Sequence, residues 1–561
     1  MTELVKKFGE KIYAYALDNA ATHEGRAVAS AVLSHLFQEG LKKDQIKDIM
    51  PLIQEALKKV HSMSLEEQEK ELKKLNIDLK KFEQGERTLR ELSGVTKDMV
   101  FRCAPFPSGD LHLGNAKTYL LNALYAEKYR GKILLIMDDT IGSEEKAIVS
   151  EAYDLIPESL IWLGVTYEKP VVYKSDRLNI YYEYAEKILD LKKAYVCHCS
   201  QEIVRKNRAE GIVCDCRELS VDKQKKRWKA MFSMKEGAAT LRLKTDMQHA
   251  NPAFRDRVLF RISQREHPRT KKKYTVWPML EFSWAIDDHL LGITHILRGN
   301  DLVIETDMER FIWNVFGWED KVIVHAGFLT IEGVKLSKSK AQHEVKSGEY
   351  IGWDDPRTWS IHSLQRRGFK AEALRQFVKE LGLNQHDITV PLENFYALHR
   401  KLIDHQAGRY SFVAHPMKLN IQAMPKIDKI NVKVHPEKKE TRKIVLGKNL
   451  YISREDHERH QEEEVRLLHL FNVQLGKEDL VTSLENKQIP KLNWVSDFVK
   501  ARVFMTDGTW LEGYAEKAIE DFKEGKIVQF ERNFFVKFDR KIILGKGKQK
   551  EILYEFWYLH P

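Results

Sequence analysis

The sequence contains little cysteine and no long apolar run, and each absence excludes a class of protein. Five cysteines in 561 residues are too few for the disulfide framework of a small secreted protein. No stretch approaches the roughly eighteen uncharged apolar residues of a membrane span, and residues 1–26 lack the apolar core of a signal peptide. We therefore expect a protein of the reduced cytoplasm that has no membrane partner.

A strong excess of one charge is also missing. The chain has 92 lysine and arginine residues against 82 aspartate and glutamate residues, a net charge of +10. This modest excess indicates a basic surface that faces an acidic partner, and nucleic acid, a membrane surface and an acidic metabolite all remain open. With 43% hydrophobic residues, the chain can bury real cores, and its length predicts about three to five packed units.

The pattern changes along the chain and predicts a multidomain protein of α/β plus all-β class. Short apolar runs at 99–101 and 133–137 flank a helical pattern at 116–129, which is half of a Rossmann-like parallel sheet. Near the C-terminus, short strand-like runs separated by charged turns predict antiparallel β-barrels. The predicted segments are an N-terminal helical extension (1–95), the first half of the Rossmann-like domain (96–190), a basic insertion (191–275), the second half of that domain (276–355), a helical connector (356–412) and the barrels (413–561).

The loop after the first predicted strand carries candidate phosphate-binding groups. A helix N-terminus offers unpaired N–H groups and a positive dipole to phosphate, and glycines let the backbone approach closely. The imidazole of His112 can donate a hydrogen bond to a phosphate oxygen on which charge develops. A histidine near a glycine is more often structural, but its position between a strand and a helix favours a nucleotide site. The candidates in this loop are Pro107, Ser108, Gly109, His112, Gly114 and Asn115.

A second basic loop occurs much later in the chain. It contains Lys335, Leu336, Ser337 and Lys338, and taken alone such a loop is usually a solvated turn. Together with the His112 loop it favours another interpretation. A mobile basic loop that closes over a triphosphate would stabilise the pyrophosphate leaving group without any protein nucleophile.

Four of the five cysteines form two C-x-C pairs. The thiolates of Cys197, Cys199, Cys214 and Cys216 fit one tetrahedral zinc ion, since each short pair can hold the ion from one side. Four free thiols near the surface are the alternative. Full sulfur ligation leaves no open coordination position, so this metal would shape the insertion and not catalyse. The fifth cysteine, Cys103, is predicted to lie in the core of the first strand.

The two loops resemble the signature motifs of the class I aminoacyl-tRNA synthetases. Residues 112–115 (HLGN) resemble the HIGH motif, and residues 335–339 (KLSKS) resemble the KMSKS motif, in which Lys338 is the lysine expected to contact pyrophosphate. The resemblance extends over about 95–561. It is closest to the glutamyl and glutaminyl enzymes, and the helical extension resembles that of archaeal-type glutamyl enzymes. It implies that the insertion meets the tRNA acceptor end and that the C-terminal barrels read the anticodon.

Within that group, the resemblance implies that Arg298 selects the amino acid. Glutamyl enzymes have arginine at this position, and glutaminyl enzymes have a small neutral residue. A buried guanidinium pairs bidentately with a carboxylate, whereas leaving it unpaired against a neutral amide is costly. Glutamate is therefore the expected substrate, with a surface or tRNA-facing salt bridge as the alternative role of Arg298. The other amino-acid-binding candidates are Arg102, Ala104, Asp138, Leu280 and Trp284. Asp138 is expected to hold the α-amino group, or else to cap a helix.

Several positions depart from the family pattern. Asn115 replaces the second histidine of the HIGH motif, Phe106 stands where a polar residue is usual, and Ile136 replaces an arginine that commonly precedes the acidic pair. Leu280 and Trp284 stand where glutaminyl enzymes have tyrosine and histidine. The details of the substrate pocket therefore stay open at this stage.

The C-terminal region 472–561 interleaves basic and aromatic residues. Splayed bases stack on aromatic rings while lysine and arginine contact phosphates, although aromatic residues in strands more often belong to a core. The residues that carry this pattern are Lys491, Trp494, Lys500, Arg502, Trp510, Phe530, Phe534 and Phe535.

The resemblance implies a two-step reaction. The α-carboxylate of L-glutamate attacks the α-phosphorus of ATP, and the resulting glutamyl-adenylate passes its glutamyl group to the 3′ end of tRNA(Glu), and of tRNA(Gln) in a non-discriminating enzyme. His112 and Lys338 would stabilise the pentavalent phosphate, and Mg²⁺ would neutralise the triphosphate. Related enzymes generally need bound tRNA before they activate the amino acid, and a monomer is expected. The alternatives are a glutaminyl-tRNA synthetase, a small-molecule nucleotidyltransferase and a non-catalytic RNA-binding relative.

Overall fold

The structure, a computed structural model, describes residues 2–22, 25–39, 41, 45–75, 89–142, 147–334, 338–421, 423–545 and 550–561. The chain divides into two compact units, Met1–Arg87 and Thr88–Pro561. Within the described ranges, no helix is both long enough and apolar enough to cross a membrane.

The N-terminal unit is helical, as its three-to-four spacing of apolar residues predicts. Ile12, Leu17 and Ile53 lie in its common core. The helix that starts at Leu65, the last one described in this unit, begins with a capping box. The Ser64 N–H donates to Glu67 Oε2 (2.8 Å), and the Glu67 N–H donates to Ser64 Oγ (3.4 Å). The charged residues 76–88 that follow lie outside the described residues. The helices are α1 (Thr2–Thr22), α2 (Ala29–Gln38), α3 (Ile46–His61) and α4 (Leu65–Leu75).

The second unit begins with alternating strands and helices. Strand residues such as Phe101 and Leu135 are buried, as expected for a parallel sheet with both faces covered. The helical pattern at 116–129 is confirmed by a helix that starts at Leu113. The elements are β1 (Val100–Cys103), α5 (Leu113–Tyr129), β2 (Lys132–Met137), α6 (Ala152–Trp162), β3 (Glu168–Tyr173) and α7 (Leu178–Asp190).

The basic insertion folds around its own four-stranded antiparallel sheet, of order β4-β5-β6-β7. The elements are β4 (Ala194–Cys197), α8 (Gln201–Glu210), α9 (Val221–Met231), β5 (Thr240–Leu243), β6 (Val258–Ile262) and β7 (Val276–Pro278). Because β7 pairs with β6, this sheet runs past the predicted boundary at residue 275.

After the insertion the chain returns to the first sheet. The elements are α10 (Leu280–Leu290), β8 (His295–Gly299), α11 (Val303–Phe316), β9 (Val322–Ala326), β10 (Leu329–Ile331) and α12 (Lys338–Ser347). The five-stranded sheet has the order β3-β2-β1-β8-β9, and all of its ladders are parallel. The predicted parallel α/β sheet is thus confirmed. The strand order changes direction between β1 and β8, and ligands of such sheets bind outside the carboxyl ends of the strands at that point.

A helical connector and a β-rich region complete the chain. The connector has α13 (Ile361–Arg367), α14 (Ala371–Leu381), β11 (Ile388–Val390) and α15 (Leu392–Ile403). The elements after it are β12 (Gly408–Tyr410), β13 (Phe412–Ala414), β14 (Pro416–Lys418), β15 (Lys429–Lys433), β16 (Thr441–Val445), β17 (Tyr451–Ser453), α16 (Arg454–Arg459), β18 (Glu464–Leu467), β19 (Asn472–Gln474), β20 (Leu480–Ser483), β21 (Lys491–Leu492), β22 (Phe498–Phe504), β23 (Trp510–Glu516), β24 (Ile527–Phe530), β25 (Phe534–Leu544) and β26 (Glu551–His560).

The C-terminal strands form largely antiparallel sheets, as predicted, but the barrels are not confirmed. The larger sheet has the order β12-β24-β25-β26-β22-β23-β13, and a four-stranded sheet has the order β20-β19-β18-β21. Among the described residues no ladder joins β12 to β13, so the larger sheet keeps two edges. Only Ser411 separates these edge strands in the chain, which brings the edges close without closing the sheet. Strand β22 pairs in parallel with β26. Local hairpins join neighbouring strands in antiparallel pairs, so the sequence pattern does not predict this ladder.

Candidate active site

A cavity of about 970 Å³ lies at the carboxyl ends of β1, β2 and β8. This is the position at which the strand order predicts a ligand. Ten of the residues singled out in the sequence line it, namely Arg102, Ala104, Phe106, His112, Gly114, Asn115, Asp138, Leu280, Trp284 and Arg298. The fold therefore brings together residues from both halves of the α/β domain that the insertion separates in the chain.

His112 is the N-cap of α5 and contacts the cavity. Its Nδ1 accepts hydrogen bonds from the backbone N–H groups of Gly114 (3.1 Å) and Asn115 (3.3 Å). Because Nδ1 accepts, the proton of the neutral ring sits on Nε2. The capping role and the phosphate role of His112 are thus compatible. The capping bonds occupy Nδ1 and leave Nε2–H as the hydrogen-bond donor.

The first part of the predicted phosphate loop packs inward. Pro107, Ser108 and Gly109 are absent from the described lining of the cavity. Gly109 has a φ of +140°, and a Cβ placed there would lie 2.1 Å from the Trp353 ring. The glycine is therefore required by the close approach of an indole, which the sequence pattern does not reveal.

Asp110 is a site-supporting residue that the sequence reading missed. Its buried carboxylate accepts hydrogen bonds from the Leu111 N–H (2.7 Å), from Ser159 Oγ (2.6 Å) and from the His362 N–H (3.1 Å). Burial opposes protonation of His362, but its contacts with Asp110 and Glu158 outweigh burial and raise its pKa. This network ties the loop before α5 to α13. The signal in the sequence that could have indicated Asp110 is an acidic residue between Gly109 and Gly114.

Two buried arginines lie at the base of the cavity, and each is already paired. Arg102 forms a bidentate pair with Asp288 (2.6 and 3.0 Å). Arg298 forms one with Glu309 (2.8 and 3.0 Å). Burial raises the pKa of Glu309 to about 7, and the charge of Arg298 opposes that shift. The pairing of Arg298 with Glu309 is a feature that the sequence does not predict.

One buried donor of Arg298 has no partner among the described residues. Arg298 is 4% exposed, and its buried Nε has no hydrogen-bond partner among the described residues. The ring of Trp284 lies 4.5 Å from the Arg102 guanidinium carbon and 5.3 Å from that of Arg298. A buried N–H without an acceptor is unfavourable, so the cavity favours a ligand with a negatively charged oxygen.

Lys174 is a second residue that the sequence reading missed. It is fully buried directly after β3, and its Nζ lies 2.9 Å from Asp138 and 2.9 Å from Ser283 Oγ. Ile136, which stands where the family commonly has arginine, is buried in β2. Lys174, which follows the neighbouring strand β3, thus places a positive charge beside Asp138 where the family commonly has arginine in β2. Its position at the carboxyl end of a parallel strand was the signal that could have found it.

The second basic loop cannot be placed against this cavity in full. Lys335, Leu336 and Ser337 lie outside the described residues, and the described backbone resumes at Lys338 as the first residue of α12. Val334, which precedes the loop, lines the cavity. The role of this loop stays a prediction.

The four cysteines of the insertion converge. One Sγ from each of Cys197, Cys199, Cys214 and Cys216 lies within 4.8 Å of the others. The hydrogen bond from Cys197 lowers the pKa of Cys214 to about 5, against the effect of burial. The buried guanidinium of Arg242 lies 3.9 Å from Cys197 Sγ and favours thiolate. This donor set fits a four-coordinate soft metal ion with no open position. Cys103 is in the core of β1, as predicted, where burial raises its pKa to about 12.

The aromatic residues of this region are mostly core residues, the outcome that the sequence favours for aromatic residues near strands. Trp494, Phe530 and Phe535 are buried and so present no ring to a base. Trp510 is 36% exposed, with the Arg502 guanidinium 4.0 Å from its ring centre.

Comparison with known proteins agrees with this geometry. Residues 98–405 match the family described as tRNA synthetases class I (E and Q), catalytic domain. Residues 407–493 and 478–539 match its two anti-codon binding domains. The chain belongs to this family, which confirms the resemblance seen in the motifs.

Curated relatives cover nearly the whole chain. A protein of Methanocaldococcus jannaschii named glutamate–tRNA ligase is 38% identical over 95% of this chain and 98% of its own length. A Pyrococcus furiosus protein of the same name is 39% identical over 94% of this chain and 96% of its own length. The crystal structure of a glutamate-tRNA synthetase from Elizabethkingia anophelis aligns with a TM-score of 0.40 and 20% identity, over 55% of this chain and 70% of that chain.

Proposed function

We propose that this chain is a glutamate–tRNA ligase of the cytoplasm. It activates L-glutamate with ATP, releases pyrophosphate, and transfers the glutamyl group to the 3′ end of tRNA(Glu), and of tRNA(Gln) if it does not discriminate. The observation that carries the proposal is the pair of buried arginines, Arg102 and Arg298, in the cavity that His112 lines. Both face the same indole, and one N–H of Arg298 has no acceptor in the described part of the chain. The relatives of the same name support it.

The roles of the residues follow from charge and position. The γ-carboxylate of glutamate takes the remaining donors of Arg298 and Arg102, because a charge-assisted hydrogen bond is stronger than one to an amide. Asp138 binds the α-ammonium group in competition with Lys174. His112 donates from Nε2 to the phosphate, and Lys338 stabilises the charge of the leaving pyrophosphate. Mg²⁺, when bound with ATP, neutralises the triphosphate.

The other segments serve the tRNA. The insertion, held by a zinc ion on the four cysteines, contacts the acceptor end, and the β-rich region 413–561 reads the anticodon. The match of 407–493 and 478–539 to anti-codon binding domains supports this assignment. The net charge of +10 suits a polyanionic partner.

The test is exchange of labelled pyrophosphate into ATP by the purified chain. We expect exchange with glutamate plus tRNA, and none with glutamine plus tRNA or with glutamate alone. Exchange that needs glutamine, or no exchange with a complete tRNA pool, would contradict the proposal. Glutamylation of separate transcripts of the two tRNAs then decides discrimination.

A variant pair tests the amino-acid site itself. Arg298→Gln together with Glu309→Gln removes both charges and so leaves no unpaired ion. Loss of a charged hydrogen bond of about 1.5–3 kcal/mol should raise the KM for glutamate about 10- to 150-fold. Arg310→Gln is the matched control, because Arg310 lies on the same helix as Glu309 and its side chain is 45% exposed. An unchanged KM in the double variant would remove Arg298 from its role.

A further inference from the structure

A second group of metal-ligand side chains lies far from the cysteines in the sequence. His405 follows α15, while His435 and Glu437 lie in the loop between β15 and β16. One ring nitrogen of each histidine and one carboxylate oxygen of Glu437 lie within 4.8 Å of one another. Neither the nucleotide cavity nor the cysteine cluster includes any of these residues.

His435 is the buried member of the group and has an unmet hydrogen-bonding need. Its side chain is 2% exposed, and its Nδ1 accepts only a 3.2 Å hydrogen bond from the Glu437 N–H. Its buried Nε2 has no hydrogen-bond partner among the described residues. Asp404 Oδ2 lies 3.7 Å from that nitrogen, just beyond hydrogen-bond range. A cation on Nδ1 would replace the Glu437 N–H at that lone pair and leave the proton on Nε2, where a small shift lets Asp404 accept it, as second-shell carboxylates do.

The other two members are open to solvent. The side chains of His405 and Glu437 are 68% and 71% exposed, and His405 Nδ1 donates to Glu437 Oε2 at 3.1 Å. A bound cation replaces the shared proton, which is released, and water completes its coordination.

The neighbouring charges leave the group available. Arg409 pairs with the other oxygen of Asp404, from Nη2 to Oδ1 at 2.9 Å, and also contacts Gln529. The guanidinium thus holds Asp404 in place through Nη2, while its buried Nε has no hydrogen-bond partner among the described residues. Two imidazoles and one carboxylate are a ligand set for zinc.

We propose that His405, His435 and Glu437 form a Zn²⁺ site that fastens the connector to the β-rich region. The family match to the catalytic domain ends at residue 405, and the match to the anti-codon binding domain starts at 407. The ion would thus join the end of one domain to a hairpin loop of the next. Bridging the two would limit how α15 and the hairpin move relative to each other.

Cobalt titration of the full chain, first loaded with one equivalent of zinc, tests the site. Co²⁺ on imidazole and carboxylate gives a weak visible absorption without the strong near-ultraviolet band of thiolate ligands. We expect one further equivalent with the weak spectrum. His405→Ala, which changes an exposed side chain, and Glu437→Gln should each raise the half-saturating Co²⁺ concentration more than about tenfold.

Two further variants sharpen the result. His386→Ala, at an exposed histidine outside the group, should bind Co²⁺ like the unaltered chain. His435→Gln should lose the site, and if it does not fold, His405→Ala still decides the question. The proposal is overturned if the zinc-loaded chain binds no cobalt with this spectrum, or if His386→Ala weakens binding as much as His405→Ala does.

Discussion

Two buried histidines predict how the protein responds to acid. The Lys370 N–H donates to His399 Nε2 (3.1 Å), so that nitrogen carries no proton. His399 Nδ1 therefore donates to His560 Nε2 (2.9 Å), and His560 Nδ1 donates to the main-chain oxygen of Pro561 (2.9 Å). The chain of bonds joins α14, α15 and β26 and requires both rings to be neutral. Burial lowers the pKa of His399 to about 3 and that of His560 to about 4.

The size of the effect follows from linkage. An unfolded histidine has a pKa of about 6.5, so the unfolded chain binds more protons than the folded chain below that pH. Stability is thus complete above about pH 6.5 and falls as the pH drops toward the folded values. At pH 5, each histidine costs about 2 kcal/mol, or roughly 4 kcal/mol for the pair. This is a large part of a typical stability of about 5–15 kcal/mol.

Hydrogen exchange measured by mass spectrometry at pH 7 and pH 5 tests this prediction on peptides from α13 to α15 and from β26. The free energy of opening, corrected for intrinsic exchange, should fall by roughly 4 kcal/mol more in the unaltered chain than in His399→Gln/His560→Gln. His386→Gln, at an exposed position, should behave like the unaltered chain. Equal pH dependence in the double variant and the unaltered chain would refute the assignment of neutral, buried rings.

Two more predictions concern the site and the insertion. Gly109→Ala should lower the melting temperature and weaken ATP binding, because its Cβ would collide with Trp353. In the control Gly237→Ala the new Cβ meets open space, so the free energy of unfolding should fall by only about 1 kcal/mol. Equal melting temperatures for the two variants would contradict the packing argument. Cys199→Ser should reduce bound zinc by one equivalent in elemental analysis, while Cys103→Ala should keep it; full zinc in Cys199→Ser would exclude the cysteine cluster as the site.

The predictions that succeeded depend on residues close together in the sequence. The helix that starts at Leu113 follows a loop that the sequence places between a strand and a helix, and the spacing of the C-x-C pairs predicts that four thiols meet. His405 and His435 form no such short pair, so no local pattern marks them. Only the position of the hairpin loop beside the end of α15 brings them together.

The features that the sequence left undecided depend on which way a side chain points and on which strands pair. The aromatic residues of the C-terminal strands could not be divided into core and surface from composition, and Trp494 and Phe530 proved buried. The barrels were inferred from short strands with turns between them. That pattern does not fix which strands pair, and β22 pairs in parallel with β26.

By itself the sequence determined the family, the parallel sheet, the loop between β1 and α5 and the sulfur cluster, since each depends on a local pattern of residue types. The tertiary structure decided the charges in the cavity. It placed Glu309 against Arg298, Asp288 against Arg102 and Lys174 against Asp138. A buried ion must find its counterion in space, and nothing in the local sequence around Arg102 says that its partner lies far along the chain in α10.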